Sequence, residues 1–248
     1  MRKHLATLAA LALTTAFSYA TTNIKIVDWG NTPPDGTAQV NVVSQVIDLT
    51  NPDANVTYMG QVWGTRPGIF QFDVKHDYDT SFHRTYLLCV ELEQGIGDDL
   101  YAYKNIAGYA GFLADQIGDI VANPDPGHIK SAALALATWE LDYDGYDPTT
   151  MSVNVNNLDL STGKIQYIQT NETASEYAAI LGQANVYLQD LKNLTPDQVA
   201  SLSYRYYENP IGGDRKYGYQ DYIGGVPGPM AALPFLAGIV IALRRRQR

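Results

Sequence analysis

The sequence predicts an α+β protein, with strands first, helices next and strands again at the end. Three observations carry this. Up to about residue 92 the apolar residues are β-branched and alternate; from 103 to 191 they recur at a helical period; from 203 alternation returns. No shift in composition divides the middle of the chain, so residues 21–225 read as one domain. With 248 residues and 46% apolar content, it can bury a sizeable core, which excludes wholesale disorder.

Residues 23–29 alternate, Ile24 and Ile26 on one side and Lys25, Val27 and Trp29 on the other. Asn31-Thr32-Pro33-Pro34-Asp35-Gly36 is a turn, because paired prolines and Asp-Gly cannot continue a central strand. Residues 40–49 read as a β-branched strand closed by Asn51-Pro52-Asp53, and 56–63, 69–74 and 85–92 follow at antiparallel spacing. The period then changes. Residues 103–121 place Ile106, Tyr109, Ala110, Leu113, Ile117 and Val121 on one helical stripe. Asn123-Pro124-Asp125-Pro126-Gly127 interrupts the chain before a second helix over 129–141, apolar nearly all round and so expected to be buried. A third helix over 174–191 turns Tyr177, Ala178, Leu181, Ala184, Leu188 and Leu191 inward, and residues 193–196 end it. Residues 203–207 and 217–223 close the domain as strands.

The two ends read as addresses. Arg2, Lys3 and His4 lead an apolar run over 5–17, and Ser18-Tyr19-Ala20 supplies the small residues of a cleavage site. Residues 1–20 are therefore expected to be an export signal helix, removed by signal peptidase before Thr21. Residues 226–248 form the other address. An uncharged stretch of 18 residues starts at Val226, the short end of what crosses a bilayer as a helix. Pro234 within it is tolerable in lipid. Arg244, Arg245, Arg246 and Arg248 follow as a cytoplasmic membrane stop, leaving the body outside.

Net charge is −9, but six of the 17 Lys and Arg sit in these end segments; the 11 that remain face 26 Asp and Glu, giving the body −15. A body so acidic does not hold nucleic acid by neutralising phosphates, which excludes that class of partner.

Motifs for chemistry are sparse. Gly-x-Ser-x-Gly, His-Glu-x-x-His and phosphate loops are missing, and His76, His83 and His128 have no helical ligand spacing. No catalytic residue, cofactor or metal is expected. Paired carboxylates placed by the fold leave a glycan-active enzyme as one alternative. Asp142, Asp144 and Asp147, with Gly145, partly match a calcium loop, but the twelfth position holds Val153 in place of Glu. A solvated acidic turn is favoured there over a cation site, and likewise at Asp73, Asp77 and Asp79. Tyr204 with Tyr206, and Tyr217 with Tyr219, share strand faces; they suit either stacking on sugar rings or, the favoured reading, ordinary covering of a sheet. Cys89 is the only cysteine, so no intramolecular disulfide forms. It is read as a small buried hydrophobe, with pairing between chains and other chemistry as the alternatives.

Gly224-Gly225-Val226-Pro227-Gly228-Pro229, a short apolar helix and a terminal arginine cluster together resemble the PEP-CTERM sorting tail of exopolysaccharide-producing Gram-negative bacteria. Those tails usually read Pro-Glu-Pro where this one reads Pro227-Gly228-Pro229. The resemblance implies an inner-membrane-anchored precursor, handover to an exosortase with cleavage near the Val226, Pro227, Gly228, Pro229 motif, and residence at the cell surface or in a biofilm matrix.

Within the body, Pro67-Gly68-Ile69-Phe70-Gln71-Phe72, Tyr86-Leu87-Leu88-Cys89-Val90-Glu91-Leu92 and Ala132-Ala133-Leu134-Ala135-Leu136-Ala137-Thr138-Trp139-Glu140 look like the thioester-domain family of bacterial surface proteins. That family has a Cys-bearing strand and a helix reading Gln-x-Ala-Ile/Val-Trp-Glu. The resemblance implies an antiparallel β-barrel or sandwich with a helical part of about three helices. In covalent adhesins of the family, the Cys and Gln form a thioester that amines attack. Here Ala135 stands at the Gln position and has no acyl group, so Cys89 and Ala135 are a degenerate thioester pair, expected to touch across the strand–helix contact.

These readings converge on an exported, exosortase-sorted, non-catalytic protein of the cell surface or extracellular polysaccharide matrix. An adhesin or glycan-binding protein that meets exopolysaccharide is the first alternative, and an extracellular glycan-active enzyme the second.

Overall fold

The computed structural model describes residues 35–45, 54–58, 61–65, 67–92, 99–123, 127–147, 149–150, 152–169, 172–209 and 221–226. The expected signal segment 1–20, the strand over 23–29, Tyr217, Tyr219, and the tail from Pro227 through the arginine stop lie outside them.

The first part of the chain forms strands β1 (Gly36–Gln45), β2 (Ala54–Tyr58), β3 (Gln61–Thr65), β4 (Ile69–His76), β5 (His83–Cys89) and β6 (Asp99–Ala107). Helices α1 (Tyr109–Ala122) and α2 (Gly127–Glu140) follow, and α2 runs into a π-helical turn at Leu141–Gly145. Two short strands, β7 (Tyr146–Asp147) and β8 (Ser152–Val153), precede β9 (Ile165–Ile168), α3 (Ala174–Asn193) and α4 (Pro196–Ser201). Strands β10 (Ser203–Glu208) and β11 (Tyr222–Gly225) end the domain.

Six strands close an antiparallel barrel in the order β1-β4-β5-β11-β10-β6, β6 pairing back onto β1. Strands β3, β2 and β9 make a separate three-stranded sheet. Strand alternation sorts the apolar side chains into two cores. Phe70, Phe72, Val74, Leu87, Cys89, Tyr101, Tyr103, Tyr207 and Tyr222, with Ala38, fill the barrel interior. Their out-of-phase neighbours Ile69, Leu88, Val90, Ala102, Tyr204, Tyr206 and Ile223 join α1, α2 and α3 in the second core. Helix α2 lies deepest, with residues 131–140 all buried, as its all-round apolar pattern predicts. Helix α1 presses closely on the chain entering β10: a Cβ on Gly111 would lie 2.9 Å from the Leu202 Cβ and 3.0 Å from its carbonyl carbon.

Several expectations need correction. Residues 103–107 belong to β6, not to the first helix. Tyr101 and Tyr103 enter the barrel interior, and both edges of the strand are paired, to β1 and to β10, so tertiary pairing overrides the helical spacing of Ile106 and Tyr109. The single strand expected over 56–63 is a hairpin of β2 and β3 in register Tyr58↔Gln61. In α3, Ala178 is exposed, while Ile180 and Tyr187 take buried places alongside Ala184, Leu188 and Leu191. Helix α4 was not foreseen, although Thr195 and Gln198 form a capping box around Pro196 at its start.

Candidate functional site

Cys89 ends β5 with 3% exposure, and its side chain belongs to the barrel interior. Burial pushes its thiol pKa far up, so the reactive thiolate is suppressed. Ala135 lies in the other core, with Leu88 and Val90. The expected contact between the sulfur and Ala135 is therefore corrected. The strand does meet the helix, but Cys89 is one residue out of phase with the side chains that face it. At Cys89 itself α2 meets the backbone: Trp139 Nε1–H donates to the Cys89 carbonyl oxygen at 3.0 Å.

The three acids of the calcium-like segment serve different partners. Asp142 is fully buried in the π-helical turn. Asp144 accepts from the backbone N–H of Lys164 and of Ile165, each at 2.9 Å. Gly163, at φ 87°, makes room for that carboxylate, since a Cβ there would lie 2.8 Å from it. Asp147 is exposed and accepts from the Thr149 N–H at 2.8 Å and the Thr150 hydroxyl at 2.9 Å. Among the described residues no group of three or more His, Cys, Asp or Glu is placed to hold a metal ion. Beside this segment Glu140 is fully buried and accepts from the Asp159 N–H at 2.6 Å. Burial, with the nearby Asp144 charge, pushes its carboxyl up to about 8, against the pull of that hydrogen bond, so it is protonated at neutral pH.

Of the tyrosines read as a possible sugar stripe, Tyr204 and Tyr206 are buried against the helices. Tyr206 also donates to Asp221 at 2.6 Å. Neither ring is open to a ligand. Among the described residues, open aromatic surface lies instead on the turn that carries Asp77 and Asp79.

At the end of β4, His76 is surrounded by polar groups. Asp79 Oδ2 accepts from the His76 backbone N–H at 3.1 Å and lies 2.8 Å from its Nδ1. Arg205 Nη1 stands 2.6 Å from His76 Nε2, and the Tyr207 hydroxyl 3.1 Å from it. A guanidinium only donates, so Nε2 is the acceptor and Nδ1 carries the proton given to Asp79. Burial, joined by the Arg205 charge, holds the imidazole pKa below its ordinary value despite Asp79, which keeps the ring neutral. Arg205 also donates to Asn105 Oδ1 at 2.9 Å and to the Tyr78 hydroxyl at 3.0 Å, and sits 4.7 Å above the Tyr103 ring.

Tyr78 closes this cluster from outside. Its ring lies parallel to the His76 imidazole at 5.0 Å and meets Tyr103 edge-on at 6.4 Å. It remains 61% exposed, and Phe82 on the same turn is 45% exposed. Sequence spacing carried one signal for this site: His76, Val74 and Phe72 share a strand face, as do Arg205 and Tyr207. Only barrel closure brings the two faces together. The arrangement holds an aromatic ring rigidly at the surface over a part-buried Arg–His pair, and the His76 lone pair is already engaged. No protein-family model, no characterised protein and no solved structure matches this chain.

Proposed function

We propose that the chain is an exported, surface-sorted and non-catalytic protein of the cell envelope or extracellular polysaccharide matrix. The tripartite leader of residues 1–20 and the motif, apolar stretch and arginine stop of residues 226–248 support export and sorting. Signal peptidase and an exosortase are its processing partners, and the C-terminal helix holds the precursor in the inner membrane. The observation that favours a non-covalent role is Cys89, sealed in the barrel and separated from Ala135, which has no acyl group to give. A second reading, a glycan-binding surface protein, draws support from Tyr78, whose pinned ring stays largely exposed.

The test is cell fractionation in a host that carries an exosortase. Protein expressed from the full sequence is expected, after processing, in the surface or matrix fraction, and protein expressed without residues 226–248 is expected to be absent from it. Full-length protein that stays in the cytoplasm or periplasm would overturn the proposal.

A further inference from the structure

We infer that the turn joining β4 to β5 is a binding platform for an uncharged saccharide chain, with the outer face of Tyr78 as the ring on which a sugar stacks. This inference rests on the glycan-binding reading and names its ligand class and its site.

The first support is the way Tyr78 is held. A tyrosine at a turn tip ordinarily samples several rotamers and loses that freedom when it binds. Tyr78 is fixed on one face by the parallel His76 ring, at its edge by Tyr103 and at its hydroxyl by Arg205. The turn beneath it is tied as well. The Asp79 N–H donates to the His76 carbonyl at 3.0 Å, and the Asp79 carboxylate accepts from the His76 backbone and ring. The ring is thus ordered before any ligand arrives, while 61% of the residue stays exposed.

The second support is the chemistry around the ring. The C–H face of a pyranose complements the electron-rich face of an aromatic ring, and its hydroxyls need donors and acceptors at the periphery. Phe82 offers a second exposed ring, and Asp77, Thr80, Ser81 and His83 are exposed on the same short segment.

Charge selects the ligand class. Arg205 is 8% exposed and is engaged by His76, Tyr78 and Asn105, so it offers little to a ligand at the surface. Asp77 and Asp79 lie beside the platform, on a body that carries −15 without its end segments. A polyanionic glycan would be repelled within a Debye length of about 8 Å, whereas a neutral one would not.

The experiment measures retention of the exported protein on immobilised neutral polysaccharides (glucan, mannan and galactan) and on acidic ones (alginate and polygalacturonate). At least one neutral polymer is expected to retain it, and the acidic polymers are not. Tyr78→Ala is expected to weaken retention ten-fold or more. Tyr78→Phe, which keeps the ring and loses the Arg205 hydrogen bond, is expected to weaken it only a few-fold. On the unmodified chain, the retaining polymer is expected to protect Tyr78 from nitration by tetranitromethane, read by peptide mass spectrometry; this needs no variant to fold. Retention that survives Tyr78→Ala, or no protection of Tyr78, would overturn the platform and leave glycan binding standing. Retention on acidic polymers alone would overturn the ligand class. No retention on any polymer would remove both the platform and the glycan-binding reading.

Discussion

The indole N–H of Trp139 and the carbonyl of Cys89 meet at 3.0 Å, and with the bond from the Ile69 N–H to the Ser131 hydroxyl oxygen this fastens α2 to the barrel wall. These bonds join two cores that otherwise touch through alternate side chains of the same strands. Removing the donor while keeping an aromatic ring tests the fastening. Trp139→Phe is expected to lower stability by about 1–3 kcal/mol, since a buried carbonyl loses a partner and the smaller ring leaves a void. Urea denaturation would show it as a lower midpoint with an unchanged slope. An unchanged midpoint would mean that this bond carries no load.

Cys89 should behave as a sealed hydrophobe. The folded protein is expected to react negligibly with thiol reagents over hours and to react fully in guanidinium. Methylamine should leave no adduct and intact mass should show no loss of ammonia, because Ala135 has no acyl group for a thioester. Fast labelling of the folded state would contradict the burial.

Two groups give the stability a recognisable dependence on pH. Folding raises the Glu140 carboxyl to about 8, so the native state holds a proton that the unfolded chain releases. Stability from this group is fully present below the ordinary carboxylate range and declines as pH rises to about 8. Folding lowers the His76 imidazole, so its contribution is present above the ordinary histidine range and is lost as pH falls through its depressed native value. The two slopes oppose each other under mildly acidic conditions. From about pH 6.5 to 8 Glu140 is left alone of the two, and the protein is expected to lose roughly 2 kcal/mol over that interval. Glu140→Gln, which keeps the acceptor for Asp159, is expected to flatten the profile there. Urea midpoints measured across that range would check both chains, and parallel profiles would contradict a buried protonated Glu140.

Much of this fold was legible in the sequence, residue by residue. The phase of Phe70, Phe72 and Val74 placed β4, and the apolar girth of α2 announced its burial. The inward stripe of Ala184, Leu188 and Leu191 placed α3. What escaped depended on partners distant in the chain. β6 is a strand because β1 and β10 flank it, and nothing local to residues 103–107 says so. The family resemblance set Cys89 against α2, yet the strand phase that pairs Leu88 with the helices turns Cys89 the other way. The Tyr78 site was hidden for a related reason: His76 and Arg205 are 129 residues apart and become neighbours only when the barrel closes.

Export followed by surface sorting has a direct readout in the intact mass of the protein recovered from the cell surface of an exosortase-bearing host. That chain is expected to begin near Thr21 and to lack residues 230–248. Surface protein that still carries the apolar segment and its terminal arginines, or that retains residues 1–20, would contradict it.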